Sequence, residues 1–459
     1  MPQVVYPSTF EVEFGRSNAA VEGTVDFNDE KRRPSSWNLF LVRLYTFLLG
    51  VSMTIVFTTA TSYTDFVGVQ SAVFPGLMIG LVPLASGLSS VPWGWVMNRF
   101  GFKTAFIAAL ACGGLGSVLY ALAGVAQSPS LMLVGRLLLG VAGPDNLYVE
   151  HHALTLGKQV KSVEMNTTWA VATLGFGFGP LLSAGISWMF GNLGTASATF
   201  NTMTIPGWTS AILYGIAVLM YIGTFTCPNL EVQKEFKLMS LRRAATSQPS
   251  ISFWKDLTLL VVLFSAFAGG VGVSGLETRT ALIAEAPISD VTAWAWNETY
   301  SGLYLSTFFS LIALGSWMGG HKLHEIQLSD RFIVLYSLIA CTVSCIFLFD
   351  FGFKDKLTTI FLWSAGVGTL GLFVCIVRSY LVALGVKLCP TDQVSNYSSM
   401  LTLFSSFGRF AGPMAASYIG NGYLDQSAFS ICLMSIFGVN LVLFATKYTK
   451  LHPALARGF

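Results

Sequence analysis

Residues 72–126 read AVFPGLMIGLVPLASGLSSVPWGWVMNRFGFKTAFIAALACGGLGSVLYALAGVA, and only Arg99 and Lys103 in this stretch carry charge. Two apolar runs, 72–94 and 103–126, flank a short polar turn. Each is about the length of 20 residues that an α-helix needs to cross the hydrocarbon core of a bilayer. Neither has the charged face that a helix packed on a soluble core would turn to water. The stretch reads as two membrane spans joined by a basic turn.

Working outward, apolar runs bounded by polar or Gly/Pro breaks recur near 38–63, 131–154, 163–190, 207–226, 257–284, 299–319, 331–349, 358–382, 397–420 and 427–446. The expected fold class is all-α integral membrane, with twelve transmembrane helices as two six-helix bundles. Composition agrees: 53% of the residues are hydrophobic and 11% are charged, against about 25% charged in soluble domains. The divisions expected are a disordered cytosolic tail over 1–37, an N-terminal bundle over 38–227, a basic cytosolic linker over 228–256, a C-terminal bundle over 257–446 and a cytosolic tail over 447–459. Five arginines (Arg43, Arg136, Arg279, Arg378, Arg409) fall within spans, and Lys354 and Lys356 fall in outer loops. Every other Lys and Arg lies on the side of the two termini, which the positive-inside rule assigns to the cytosol.

The same numbers exclude several functions. The seven cysteines show no CxxC and no metal-ligand spacing, so neither a disulfide framework nor a metal site is expected. Net charge is +3 with no basic stripe, which argues against nucleic acid. No Walker loop and no clustered nucleophile and base appear, so the chain is read as no enzyme, with no cofactor.

Gly94-Trp-Val-Met-Asn98-Arg99-Phe-Gly101-Phe-Lys103 and, opening span four, Gly135-Arg136-Leu-Leu-Leu-Gly140 resemble two motifs of the major facilitator superfamily, with Asn98 where the family's loop motif carries an acid. Short stretches are similar to the branch that contains SPX-associated vacuolar phosphate transporters and the lysosomal ceroid-lipofuscinosis membrane protein. They are Gly275-Leu-Glu277-Thr278 with Trp296, Ser329-Asp330-Arg331, Ser379-Tyr380 and Gly408-Arg409-Phe-Ala-Gly412-Pro413. No SPX domain fits in the 36 residues before span one. The resemblance implies a secondary transporter working by alternating access, in a vacuolar, lysosomal or plasma membrane.

An internal symmetry supports two related halves. Gly175-x-x-x-Gly179-Pro180 in span five and Gly408-x-x-x-Gly412-Pro413 in span eleven are offset by 233 residues. Packing explains GxxxG by itself, because small residues let helices touch. The same offset pairs Asp145 of span four with Arg378 of span ten.

Ionisable residues inside spans are costly and therefore mark partners, cavities or roles. Arg409, twelve residues into span eleven, has no path to water and can clamp an anion through its planar fork or pair with Glu277. Arg378, Glu277 and Arg279 complete the expected substrate site, and the glycines of span seven (269, 270, 272, 275) predict a broken helix ahead of Glu277. Asp145 and His152 are seven residues apart, two turns on one helix face, and with Glu150 form the expected proton-coupling set. The expected function is secondary transport of a small anion, phosphate or organic, coupled to protons, by a monomer whose only other partner is the lipid bilayer. A channel-like anion conductor using the same arginines is the rival, and a transporter-shaped receptor is a third reading. The sequon Asn297-Glu298-Thr299 lies in an outer loop, where glycosylation is topologically possible.

Overall fold

A computed structural model describes residues 34–69, 71, 73–156, 158–190, 199–226, 253–285, 294, 296–326, 328–352, 355–389, 393–420 and 426–451. The tail over 1–37 up to residue 33, the linker over 228–256 up to residue 252 and the end of the 447–459 tail lie outside these residues, as does the side chain of Asn98. Among the described residues there are helices and no strands.

Twelve crossings are present. We label them α1 (Ser36–Phe66), α2 (Phe74–Met97), α3 (Arg99–Ala126), α4a and α4b (Pro129–Val141 and Asn146–Thr155), α5 (Lys158–Phe190), α6 (Ile205–Thr224), α7 (Leu257–Glu285), α8 (Glu298–Glu325), α9 (Asp330–Ser344), α10 (Lys356–Leu388), α11 (Val394–Gly420) and α12 (Gln426–Lys447). Gly101 makes the turn between α2 and α3 at φ 81°, a conformation open to glycine at little steric cost. Ten helices are long and apolar enough to cross a membrane. The two that fall short are α4, broken at Gly143-Pro144, and α11, which carries Ser398, Ser399, Thr402, Ser405, Ser406, Arg409 and Ser417 as buried polar side chains. A span whose neighbours are protein can hold polar groups that lipid would not tolerate.

The two halves meet along two helix pairs, α2 with α11 and α5 with α8. Both contacts are built from small residues. Gly76 faces Pro413 and Ser417, Gly80 faces Phe410, Gly87 faces Ser406, and the Ser90 hydroxyl donates to the Ser399 carbonyl at 3.1 Å. On the other pair Gly302 faces Pro180 and Ala184, Gly177 faces Ser306 and Phe309, and the Asn166 amide donates to the Ser316 carbonyl at 3.1 Å. Contacts therefore run the length of both pairs, from the side of the chain termini, here the terminal side, to the far side.

The GxxxG repeats pack within each half. A methyl at Gly175 would strike Phe47 of α1 and one at Gly179 would strike Val51, while Gly408 and Gly412 stand in the same way against Phe267 and Val271 of α7. One expectation changes. Span seven is not interrupted: α7 is one continuous helix, because its glycines serve close approach, Gly270 to α11 and Gly272 and Gly275 to Phe437 and Phe429 of α12. The broken helices are α1, which passes through a 3-10 turn at Phe57–Thr59, and α4.

Candidate functional site

The 233-residue offset becomes a contact. The Arg378 guanidinium pairs with the Asp145 carboxylate across the interface between the halves. A second pair with the same offset, Phe176 and Arg409, also touches, with the guanidinium 4.9 Å from the ring centroid. Residues equivalent under a two-fold axis can touch only if both lie close to that axis. The two contacts thus mark the centre of the molecule. The break at Gly143-Pro144 puts Asp145 at the head of α4b, where its side chain makes no helix-capping bond and is free to cross to α10.

Around this centre the charges are buried and incompletely paired. Arg378 lies 3.8 Å from the centroid of the Trp169 ring, and its Nη1 has no hydrogen-bond partner. Arg409 donates from Nε to the Ser274 hydroxyl at 3.3 Å. Glu277 is 3% exposed and its Oε1 has no hydrogen-bond partner. No ion pair joins Glu277 to Arg409, so of the two roles the sequence offered Arg409, the permanent pair is not the one formed.

Two chambers flank these groups. The larger encloses about 510 Å³, its mouth included, between α5, α7, α8 and α10. Its walls are Trp169 and Phe176 from α5, Leu276, Glu277 and Thr280 from α7, and Tyr304, Phe308 and Phe309 from α8, with Val367, Gly371 and Cys375 of α10 closing the side. Glu277 brings the one carboxyl. Neither central arginine lines this chamber; each lies against a ring, Trp169 or Phe176, that does. The smaller chamber, about 300 Å³, is lined by Asp145, Tyr148, Arg378, Thr402 and Ser405 among others.

The remaining expected residues are placed elsewhere. Arg279 is buried on α7 but lines neither chamber. His152 and Glu150 are buried in α4b; the His152 Nε2 lies 2.8 Å from the Thr168 hydroxyl of α5, within the first half. Asp145 and His152 share α4b, both beyond the break at Gly143-Pro144, and address different neighbours, Asp145 the Arg378 of α10 and His152 the Thr168 of α5. Arg136 donates to three carbonyls, Met78, Ser52 and Met53, each at 3.2 Å. Ser52 and Met53 lie just before the break of α1, where helical acceptors lose their own donors, so Arg136 holds that break in place. Gly140 lets α4a approach Val82 of α2. Lys103 donates to the Ile222 carbonyl at 2.9 Å and Arg99 stacks on Trp95 and Phe100, and among the described residues neither forms an ion pair. Among the described residues no group of His, Cys, Asp and Glu could hold a metal ion.

Reading the sequence for charge missed the aromatic walls. Phe176 carried a signal, the offset to Arg409, but Trp169, Thr280 and Tyr304 sit in apolar spans with nothing local to single them out.

Comparison with known proteins agrees with this architecture. The profile of the Major Facilitator Superfamily matches residues 38–413. An SPX domain-containing membrane protein of Oryza sativa subsp. indica is 26% identical over 215 residues, covering 47% of this chain and 30% of the rice protein. The match thus spans less than a third of that relative's length. The putative multidrug resistance protein MdtD of Salmonella heidelberg is 24% identical over 406 residues, covering 80% of this chain and 78% of that one. Among solved structures, the human organic anion transporter MFSD10 superposes with a TM-score of 0.66 at 15% identity, covering 90% of this chain and 100% of that one. The proton:xylose symporter XylE gives 0.66 at 12% identity, covering 90% and 94%. At these identities the likeness is one of fold.

Proposed function

The chain belongs to the Major Facilitator Superfamily, a multi-pass membrane transporter of the secondary kind, and from that premise we propose that it moves a small organic anion together with a proton. The carrying observation is the aromatic chamber with a single carboxyl, Glu277, and a guanidinium behind two of its rings.

Charge decides between anion and cation. An aromatic chamber with one carboxylate is also what a cation would choose, since a ring face attracts a cation by about 0.5–2 kcal/mol. The outer face of Phe176 is already taken by Arg409, which has no carboxylate partner among the described residues. An ion on the opposite face would stand roughly 8 Å from that guanidinium, where unit charges interact by about 2 kcal/mol at an effective dielectric near 20. For a cation this repulsion cancels the ring's attraction. For an anion it is a gain.

Coupling follows from the same bookkeeping. Two arginines and two carboxylates at the centre sum to zero while Glu277 is ionised, and to one positive charge once it holds a proton. Proton uptake at Glu277 therefore prepares the site for an anion. Inorganic phosphate, the other expected substrate, would lose its water against walls with few donors, a large uncompensated cost. A carboxylate on an apolar body suits the chamber better.

In this reading Asp145 and Arg378 are the contact that the halves break and remake, the protein works as a monomer, and both termini face the cytosol of a vacuolar, lysosomal or plasma membrane. The test is uptake of labelled organic monoanions into proteoliposomes with pH gradient and voltage set separately. Accumulation should follow the proton gradient and be lost in Arg409→Gln. Uptake indifferent to both would sink the proposal, and currents far above carrier turnover would favour a channel.

A further inference from the structure

Every hydroxyl in the wall of the larger chamber has a hydrogen-bond partner, and Thr280 is the one whose partner is a group that can only donate. The Thr173 hydroxyl donates to the Trp169 carbonyl at 3.0 Å, as helical threonines commonly do. The Tyr304 hydroxyl is paired with that of Ser364 at 2.7 Å. Thr280 differs. Its Oγ1 accepts from the indole N–H of Trp363 at 3.2 Å, and its own proton goes to no group among the described residues, although its neighbour Thr278 donates to the carbonyl one turn back at 2.9 Å.

The indole N–H can only donate, so it fixes which lone pair of Thr280 is occupied and turns the hydroxyl proton away from α10. Trp363 is 1% exposed and cannot offer its N–H elsewhere without leaving it unsatisfied. Thr280 and Glu277 are three residues apart on α7, hence on one face, and both line the chamber.

We propose that Thr280, oriented by Trp363, is the residue that reads the substrate's carboxylate, and that the substrate class is an aromatic or strongly apolar monocarboxylate. This rests on the transport reading given above. With Glu277 protonated, α7 presents two donors to the chamber, the Glu277 carboxyl O–H and the Thr280 O–H, which match the two oxygens of one carboxylate. With Glu277 ionised, an acceptor replaces one donor and the match is lost. The groups facing Glu277 from packed helices are Arg378 and Cys375 of α10 and Arg409 of α11; neither arginine lines the chamber, where the two donors on α7 are joined by the buried indole N–H of Trp169. Rings from α5 and α8 then hold the apolar body. Thr280 touches substrate; Trp363 positions it.

The experiment measures proton-driven uptake of labelled benzoate and phenylacetate, with inorganic phosphate as comparison, in proteoliposomes of the full chain. Thr280→Val should raise KM at least tenfold with kcat little changed, and Thr280→Ser should restore it. Trp363→Phe, which keeps the ring and loses the N–H, should raise KM severalfold in the parent and have no further effect in Thr280→Val, a coupling that a merely structural tryptophan would not show. If the monocarboxylates accumulate but both variants keep the parental KM, or if Thr280→Ser fails to rescue, this inference falls and anion transport stands. If neither monocarboxylate accumulates in the parent while phosphate does, the substrate class is overturned. If nothing accumulates, the transport reading falls with it.

Discussion

The first and second halves are built on one scaffold and carry different chemistry. In both, GxxxG-Pro of the fifth helix closes on the first: Gly175 and Gly179 on Phe47 and Val51, Gly408 and Gly412 on Phe267 and Val271, an offset of 233 for one helix and 220 for the other. By those offsets Asp145 corresponds to Arg378, Phe176 to Arg409 and Phe57 to Glu277. The scaffold positions agree and the axis positions do not. Close-packed glycines are kept because any side chain there would strike backbone, whereas a residue at the axis meets its own counterpart and can diverge only as a complementary pair. An acid opposite an arginine, or a ring opposite an arginine, is such a pair; two like charges would not be.

The most damaging way to break this relation is to leave one member alone. Asp145→Asn should destabilise the protein by about 3–5 kcal/mol, since it strands Arg378 inside the bundle. The double variant Asp145→Asn, Arg378→Gln should recover most of that, which thermal unfolding in detergent would read; additive losses would mean that the pair is not coupled. Next in size are the scaffold positions. Gly175→Leu and Gly408→Leu should each cost about 1–3 kcal/mol or more through overpacking, and by similar amounts, because each meets the carbonyl of a phenylalanine in its own half. A large inequality between them would show that the halves do not share the packing.

The same distinction explains what the sequence disclosed. Span number, the two-half division and the Asp145–Arg378 correspondence were legible, because hydropathy and charge are local properties that survive translation into contacts. The site was legible only in its charged members. Arg409 and Glu277 were found by their cost in a membrane; sequence left Arg409 either to clamp an anion or to pair with Glu277, and in the structure its guanidinium lies over the ring of Phe176. The glycines of α7 looked like a break because glycine signals both loss of helix and close approach; Ser405 and Phe437 on neighbouring helices select the second. Conversely the break at Gly143-Pro144 lies inside an apolar run, and it sets Asp145 at the head of the same short helix that carries His152.

A smaller intervention sharpens the axis comparison at its aromatic pair. Phe176→Leu removes a cation–π contact, about 0.5–2 kcal/mol, and uncovers Arg409 toward the chamber. Binding of organic anions should weaken modestly while inorganic phosphate, now offered a guanidinium, competes better. Isothermal competition between benzoate and phosphate would show the change in ratio. An unchanged ratio would mean that the ring does not screen Arg409.

The smallest expected difference lies at the far-side ends of the paired helices α4a and α10. Ser128 caps the first by accepting from the Leu131 N–H at 3.3 Å, and Asp355 caps the second by accepting from the Leu357 and Thr358 N–H groups and the Thr358 hydroxyl. The hydroxyl cap has no titration. The carboxylate cap does, and the bonds from Thr358, with that from Leu357, hold the Asp355 carboxyl below its usual value. A depressed carboxylate pKa adds stability that is present above the unfolded value, about 3.9, and is lost as pH falls through the folded value. The α10 cap should therefore survive moderate acid on the far side and fail only below the ordinary aspartate range, while the α4a cap is unaffected throughout. Hydrogen exchange in the first turn of each helix would test this: acceleration at Leu357 and Thr358 alone at low pH is the expected result, and its disappearance in Asp355→Asn would tie it to the cap. Equal acceleration at both helix ends would assign the change to general loosening of the fold and remove the distinction between the halves at this position.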